Sequence, residues 1–141
     1  MKRKLYTGGD FDLFHYGHVQ FLERCALICN TVIVSLNTDE FIEEYKGRKP
    51  IMNYEERKLS LMLCPWVSDV VENTGGADSK PTIMEVMPSI IAIGSDWAKK
   101  DYYHQMQFNQ DWLDYHNISL VYIPYTQQIS TSSLISRIHR Q

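Results

Sequence analysis

Five strand-like runs, each followed by a stretch with helical spacing, constrain this chain more than any other feature. They are Lys4–Thr7, Thr31–Leu36, Asp69–Glu72, Ile90–Ile93 and Ser119–Ile123. The second reads TVIVSL, a β-branched run suited to a strand buried on both faces. Between them, Val19, Leu22, Ala26 and Cys29 recur at helical spacing from about Tyr16 to Cys29. Thr38 or Asp39 can cap a short helix reaching Tyr45, and Asn53 followed by Glu56 is a capping box for a helix ending near Pro65. Pro81 suits the first turn of a helix through Met87, stopped by Pro88. The spacing predicts one helix from around Tyr103 toward Asn117. It also predicts a last helix, capped by Ser130 or Thr131, with Leu134, Ile135 and Ile138 on its inner face.

Strands alternating with helices indicate an α/β fold: a five-stranded parallel sheet with right-handed crossovers and helices on both faces. The 141 residues contain no repeat or linker, so residues 1–141 read as a single domain. Fourteen Lys+Arg against 17 Asp+Glu leave a net charge of −3, which provides no field for a nucleic acid or an acidic membrane. No run approaches the roughly 20 apolar residues of a membrane span, and no apolar leader opens the chain, so the expectation is a cytoplasmic protein. Cys25, Cys29 and Cys64 form no C-x-x-C pair and read as small buried hydrophobes.

In open parallel sheets, ligands sit beyond the carboxyl ends of the strands. This directs attention to Gly8–His18, Asn37–Asp39, Gly94–Trp97 and Pro124–Thr131. Gly8 and Gly9 let backbone amides approach a ligand, and the helix that follows presents unpaired N–H groups to an anion. His15 and His18 are three apart and share a face if the helix begins near His15. Two imidazoles beside a phosphate can donate to oxygens whose charge grows during transfer. A metal-binding pair is the alternative, but no third N or S ligand accompanies it at suitable spacing. Neither G-x-G-x-x-G nor G-x-x-x-x-G-K-[ST] occurs, which argues against a dinucleotide oxidoreductase and a P-loop enzyme.

Gly9 with Phe11-Asp12-Leu13-Phe14-His15-Tyr16-Gly17-His18 resembles the G-x-F-D-x-x-H-x-G-H signature of the cytidylyltransferase branch of the HxGH nucleotidyltransferases. Lys46-Gly47-Arg48, Pro50–Asn53 and Glu56-Arg57 are similar to that family's K-G-R-P stretch and the arginine following it. Gly94-Ser95-Asp96-Trp97 is similar to its G-D-D-W, and Ile129-Ser130-Thr131-Ser132 to the end of its R-T-x-G-I-S-T-[ST]. The resemblance implies a Rossmann-like, doubly wound domain, usually a homodimer. It also implies that a substrate phosphate attacks the α-phosphorus of CTP and releases pyrophosphate, with Mg²⁺ accompanying the nucleotide. The acceptor would be a small phosphorylated alcohol, glycerol 3-phosphate first.

On this resemblance His15 and His18 bind the triphosphate and its transition state, Lys46 reaches phosphate oxygens and Arg57 anchors the acceptor's phosphate. Gly9, Asp10, Phe11 and Asp12 line the substrate site, with Asp12 alternatively orienting one of the histidines or the loop backbone. Asp96 contacts ribose or base or simply caps the next turn, Trp97 walls the base pocket, and Ser130 and Thr131 donate to the leaving pyrophosphate. Three residues depart from the family pattern. Tyr125 stands where the family has arginine, Gln128 where it has glycine, and Asp10 adds a carboxylate where related chains carry a small or neutral residue. An ATP-dependent enzyme of the same fold and a catalytically impaired nucleotide-binding protein are the competing readings. Lys46 and Arg57 as solvated charges, and Ser130 and Thr131 as plain helix caps, are the bland ones.

Overall fold

The computed structural model describes residues 3–95 and 101–141. Strands β1 (Leu5–Gly9), β2 (Val32–Leu36), β3 (Asp69–Glu72), β4 (Ile90–Gly94) and β5 (Ser119–Ile123) form one parallel sheet in the order β3-β2-β1-β4-β5. The helices are α1 (Tyr16–Ile28), α2 (Asp39–Lys46), α3 (Tyr54–Met62), α4 (Lys80–Val86), α5 (Tyr102–Met106), α6 (Gln110–Tyr115) and α7 (Thr131–His139). The chain winds outward from β1 through β2 to β3, then crosses back to β4 and β5. The order therefore reverses at β1/β4, the expected position for a ligand crevice.

Strand alternation assigns the two cores. Val32, Val34 and Leu36 of β2 join Leu22 and Cys25 of α1 and Leu61 of α3 on one face. Ile33 of β2 joins Ile83 and Val86 of α4, Tyr102 of α5 and Leu113 of α6 on the other. Cys25, Cys29 and Cys64 are buried free thiols, and burial pushes the Cys25 thiol up to about 12.

Three expectations change. The first strand runs on through Gly8 and Gly9, which pair with Ser35 and Leu36 of β2, while β1 pairs with β4 only through Leu5 and Tyr6. The two strands part after Tyr6, ahead of the glycines, and that parting opens the crevice. The segment from Tyr103 to Asn117 is two helices, because Gln107 turns left-handed (φ 59°) and Asn109 caps α6, its Oδ1 accepting from the Trp112 amide at 2.9 Å. Burying Phe108 against the Tyr102, Tyr103 and Trp112 rings rewards that break. In α7 Leu134 and Ile135 are half-buried, but Ile138 is 60% exposed, since the last turn runs past the edge of the packed layer.

Candidate active site

The loop between β1 and α1 is held in an unusual shape by one carboxylate. Phe11 (φ 51°) and Leu13 (φ 50°) both adopt left-handed backbone, a conformation that costs a side-chain-bearing residue on the order of 1 kcal/mol. Asp12 between them is buried, and its carboxylate accepts from the amides of Ile51 (2.8 Å), Met52 (2.9 Å) and Leu13 (3.1 Å). Its carbonyl accepts from the Thr131 hydroxyl at 2.7 Å. Asp12 thus joins the loop to the chain after α2 and to the start of α7. Its carboxylate is committed to backbone amides, so of the two roles open to it Asp12 takes that of orienting the loop backbone rather than binding substrate.

His15 is the N-cap of α1, an unusual choice, and completes a reciprocal capping box with His18. The Gly17 amide donates to His15 Nδ1 at 3.1 Å, and the His15 amide donates to His18 Nδ1 at 3.1 Å. Each ring therefore accepts at Nδ1 and carries its proton on Nε2. The rings stack 3.8 Å apart, tilted by 24°, and His18 is further enclosed by Phe11 and Phe14. Burial lowers the pKa of both, that of His18 to about 3, with the neighbouring His15 adding to the effect. At neutral pH both are uncharged donors. His15 Nε2 is buried without a hydrogen-bond partner, a costly state that a ligand oxygen would relieve. Both Nδ1 atoms accept from backbone amides, and among the described residues no group of three or more His, Cys, Asp or Glu is placed to hold a metal.

Both rings line a cleft of about 510 Å³ at the carboxyl ends of β1 and β4, within the usual size of small-ligand sites. Gly9, Asp10, Phe11, Asp12, Lys46, Ser130 and Thr131 line it too, as the sequence led one to expect. Lys46 is the last residue of α2, which left-handed Gly47 (φ 75°) terminates. Its ammonium lies 2.6 Å from the Asp10 carboxylate, which also accepts from Asn37 Nδ2 at 2.7 Å and from the Tyr45 hydroxyl. Burial pushes the Asp10 carboxyl upward, but Lys46, Tyr45 and Asn37 outweigh it and hold the group below its usual range. Ser130 Oγ caps α7 by accepting from the Ser133 amide at 3.1 Å, leaving the Thr131 and Ser132 amides without intrahelical partners, with Thr131 on the cleft wall.

Arg57 is not in the cleft. It is fully buried, and its guanidinium donates to the carbonyls of Met52 (3.0 Å), Asp10 (2.9 Å) and Asn37 (2.9 Å) and to the Asp39 carboxylate (2.6 Å). The expected phosphate anchor is an internal brace that clamps the carboxyl ends of β1 and β2 to α3. Asp96 and Trp97 lie outside the described residues, as do Lys99 and Lys100. Sequence reasoning passed over two contacts. A Cβ on Gly17 would meet His15 Cε1 at 2.9 Å and Ile129 Cγ2 at 3.0 Å, so this glycine lets the first ring fold back over α1. A Cβ on Gly94 would meet the Tyr125 ring at 2.2 Å, so that ring lies directly on the end of β4. The only available signal was each glycine's place beside a motif residue.

The family model described as cytidylyltransferase-like matches residues 6–137. This chain belongs to the cytidylyltransferase-like family. It is therefore a nucleotidyltransferase, and the paired histidines stand in its cleft. A glycerol-3-phosphate cytidylyltransferase of Bacillus subtilis is 32% identical over 136 residues, covering 96% of this chain and 97% of that one. An FAD synthase of Pyrococcus horikoshii is 32% identical over 137 residues, covering 97% and 93%. The solved lipopolysaccharide core biosynthesis protein of Thermoplasma volcanium shares the fold at a TM-score of 0.71 and 21% identity, over 90% of this chain and all of that one. Among the described residues of this cytidylyltransferase-like protein, no helix is long and apolar enough to cross a membrane.

Proposed function

We propose that the protein transfers CMP from CTP to a small phosphorylated alcohol, with glycerol 3-phosphate the first acceptor to test. An oxygen of the acceptor phosphate attacks the α-phosphorus, the bond from that phosphorus to the α,β-bridging oxygen breaks, and pyrophosphate leaves with the electron pair. No covalent enzyme intermediate is required, so this chain's residues position groups and stabilise charge. The observation that carries the reading is the stacked histidine pair, whose neutral rings offer Nε2–H donors in a cleft that leaves His15 Nε2 unpartnered. In this reading the two donors hold oxygens of the α-phosphate and the bridge as charge develops there, and Lys46 takes a neighbouring phosphate oxygen. Ser130 and the free amides at the start of α7 receive the departing pyrophosphate.

Mg²⁺ suits this donor set. Such an ion is held mainly by phosphate oxygens and one or two carboxylates, and Asp10 offers one on the cleft wall. When bound it would neutralise phosphate charge. Similarity to a glycerol-3-phosphate cytidylyltransferase over nearly its whole length supports the CTP reading. The FAD synthase relative supports a second one, in which the donor is ATP, because FAD contains an adenylate. We place the reaction in the cytoplasm and assign the protein to a homodimer, which sedimentation would test.

The deciding assay follows pyrophosphate release with Mg²⁺, CTP or ATP, and a panel including glycerol 3-phosphate and phosphoethanolamine. Release with CTP, reduced about a hundredfold in His15→Ala or His18→Ala, is the expected result. Release with ATP alone would move the assignment to an adenylyltransferase. Triphosphate binding without release from any pair would leave a nucleotide-binding protein and overturn the proposal.

A further inference from the structure

Among the described residues lining the cleft, Lys46 is the sole lysine or arginine, and a carboxylate of this chain already holds it. The Asp10 side chain is 11% exposed and fixed from three directions. Lys46 sits at 2.6 Å, Asn37 Nδ2 at 2.7 Å, and the Tyr45 hydroxyl completes the set. The arrangement is braced from behind. Asn37 Oδ1 accepts from Asn73 at 2.8 Å, and the main-chain carbonyls of both Asp10 and Asn37 accept from buried Arg57. Asp10 is thus an anion held on three sides, whereas Lys46 is 35% exposed at the end of a long side chain with many rotamers.

We propose that Asp10 is a positioning residue that occupies the place of a phosphate. It parks the Lys46 ammonium at the cleft edge and makes triphosphate binding depend on a divalent cation. A triphosphate entering the cleft draws Lys46 away from Asp10. The carboxylate cannot follow, so it is left beside the incoming anion, and the repulsion opposes binding. A divalent cation accompanying the phosphates restores a positive charge next to Asp10, and the carboxylate then favours the complex. Metal-free nucleotide is rejected because one fixed anion loses its partner without replacement.

The proposal rests on reading the cleft as a triphosphate site, and the test separates the two. Titration calorimetry would measure the binding of CTP, ATP and inorganic tripolyphosphate, each with Mg²⁺ and with a chelator. The proteins would be the wild type, Asp10→Asn and Asp10→Ser, with Asp78→Asn as a control in the separate Lys80–Asp78 pair. In the wild type, chelation weakens binding. In both Asp10 variants metal-free affinity rises about fivefold or more, the scale of one partly screened charge pair, while affinity with Mg²⁺ holds or falls slightly. The ratio of the two affinities shrinks, and Asp78→Asn leaves it unchanged. Asp10 variants that melt at the wild-type temperature with an unaltered ratio overturn the proposal. So do variants whose affinity falls equally with and without metal, since a purely structural strut would behave that way. Wild-type protein that binds no triphosphate under any condition overturns the cleft reading as well. Binding of ATP and tripolyphosphate without CTP changes only the donor and leaves the proposal standing.

Discussion

Replacing Gly17 with alanine tests whether the folded-back His15 ring is needed for catalysis. Gly17 lies in the first turn of α1 and is buried, with no positive φ to forbid a side chain. In an ordinary helix the change would stabilise by about 1 kcal/mol. Here the new methyl would meet His15 Cε1 at 2.9 Å, His15 Nδ1 at 3.0 Å and Ile129 Cγ2 at 3.0 Å. Ordinary carbon contact begins near 3.4 Å, so the imidazole must retreat by about half an ångström, and Ile129 prevents the methyl from moving the other way. The retreat displaces the His15 ring, and Nε2 with it, from its stacked place against His18. A shift of about 1 Å in a positioning group costs roughly a hundredfold in turnover, so half that distance should cost about tenfold or more when the donor acts on developing charge. The gain in helix propensity offsets most of the crowding, so stability should change by less than about 1 kcal/mol. The expected pair of results is therefore a large fall in kcat with a nearly unchanged urea midpoint. Wild-type turnover in a folded Gly17→Ala protein would refute the assignment of His15 to the reaction. A loss of several kcal/mol would show instead that the turn gives way before the ring moves.

Two further outcomes follow from the same geometry. Arg57→Met leaves three carbonyls and the Asp39 carboxylate without their donor, so it should lower stability by about 3 kcal/mol, or roughly 10 °C in Tm; normal melting with a raised acceptor KM would return Arg57 to the substrate. His18 is held neutral with a pKa near 3, below its value near 6.5 in the unfolded chain. Below pH 6.5 the unfolded state takes up a proton that the folded state refuses, so stability present above that pH is lost progressively down to about 3. Between pH 6.5 and 5 that one group should cost about 2 kcal/mol, a slope that His18→Gln removes in pH-dependent urea unfolding. Equal slopes in the two proteins would refute the desolvation of His18.

The alternation of strands and helices was readable because most of these elements announce themselves locally, the split between α5 and α6 excepted. TVIVSL can hardly be anything other than a strand between two layers, and Asn53 with Glu56 caps α3 by a reciprocal bond that the structure reproduces. The paired histidines, the glycines around them and the polar start of α7 were readable for the same reason, since their spacing along the chain is their spacing in the site. Misreadings arose where a distant partner decides. Nothing within several residues of Arg57 reveals that three carbonyls, two of them 47 and 20 positions away, absorb its guanidinium. Asp12 faced the same ambiguity, and amides 39 and 40 residues later resolve it. Local propensity and motif spacing sufficed to determine the α/β alternation and the location of the chemistry. Which charges face the ligand and which brace the loops was decided only by folding, because a charged side chain's role depends on partners that burial and long-range hydrogen bonding assign.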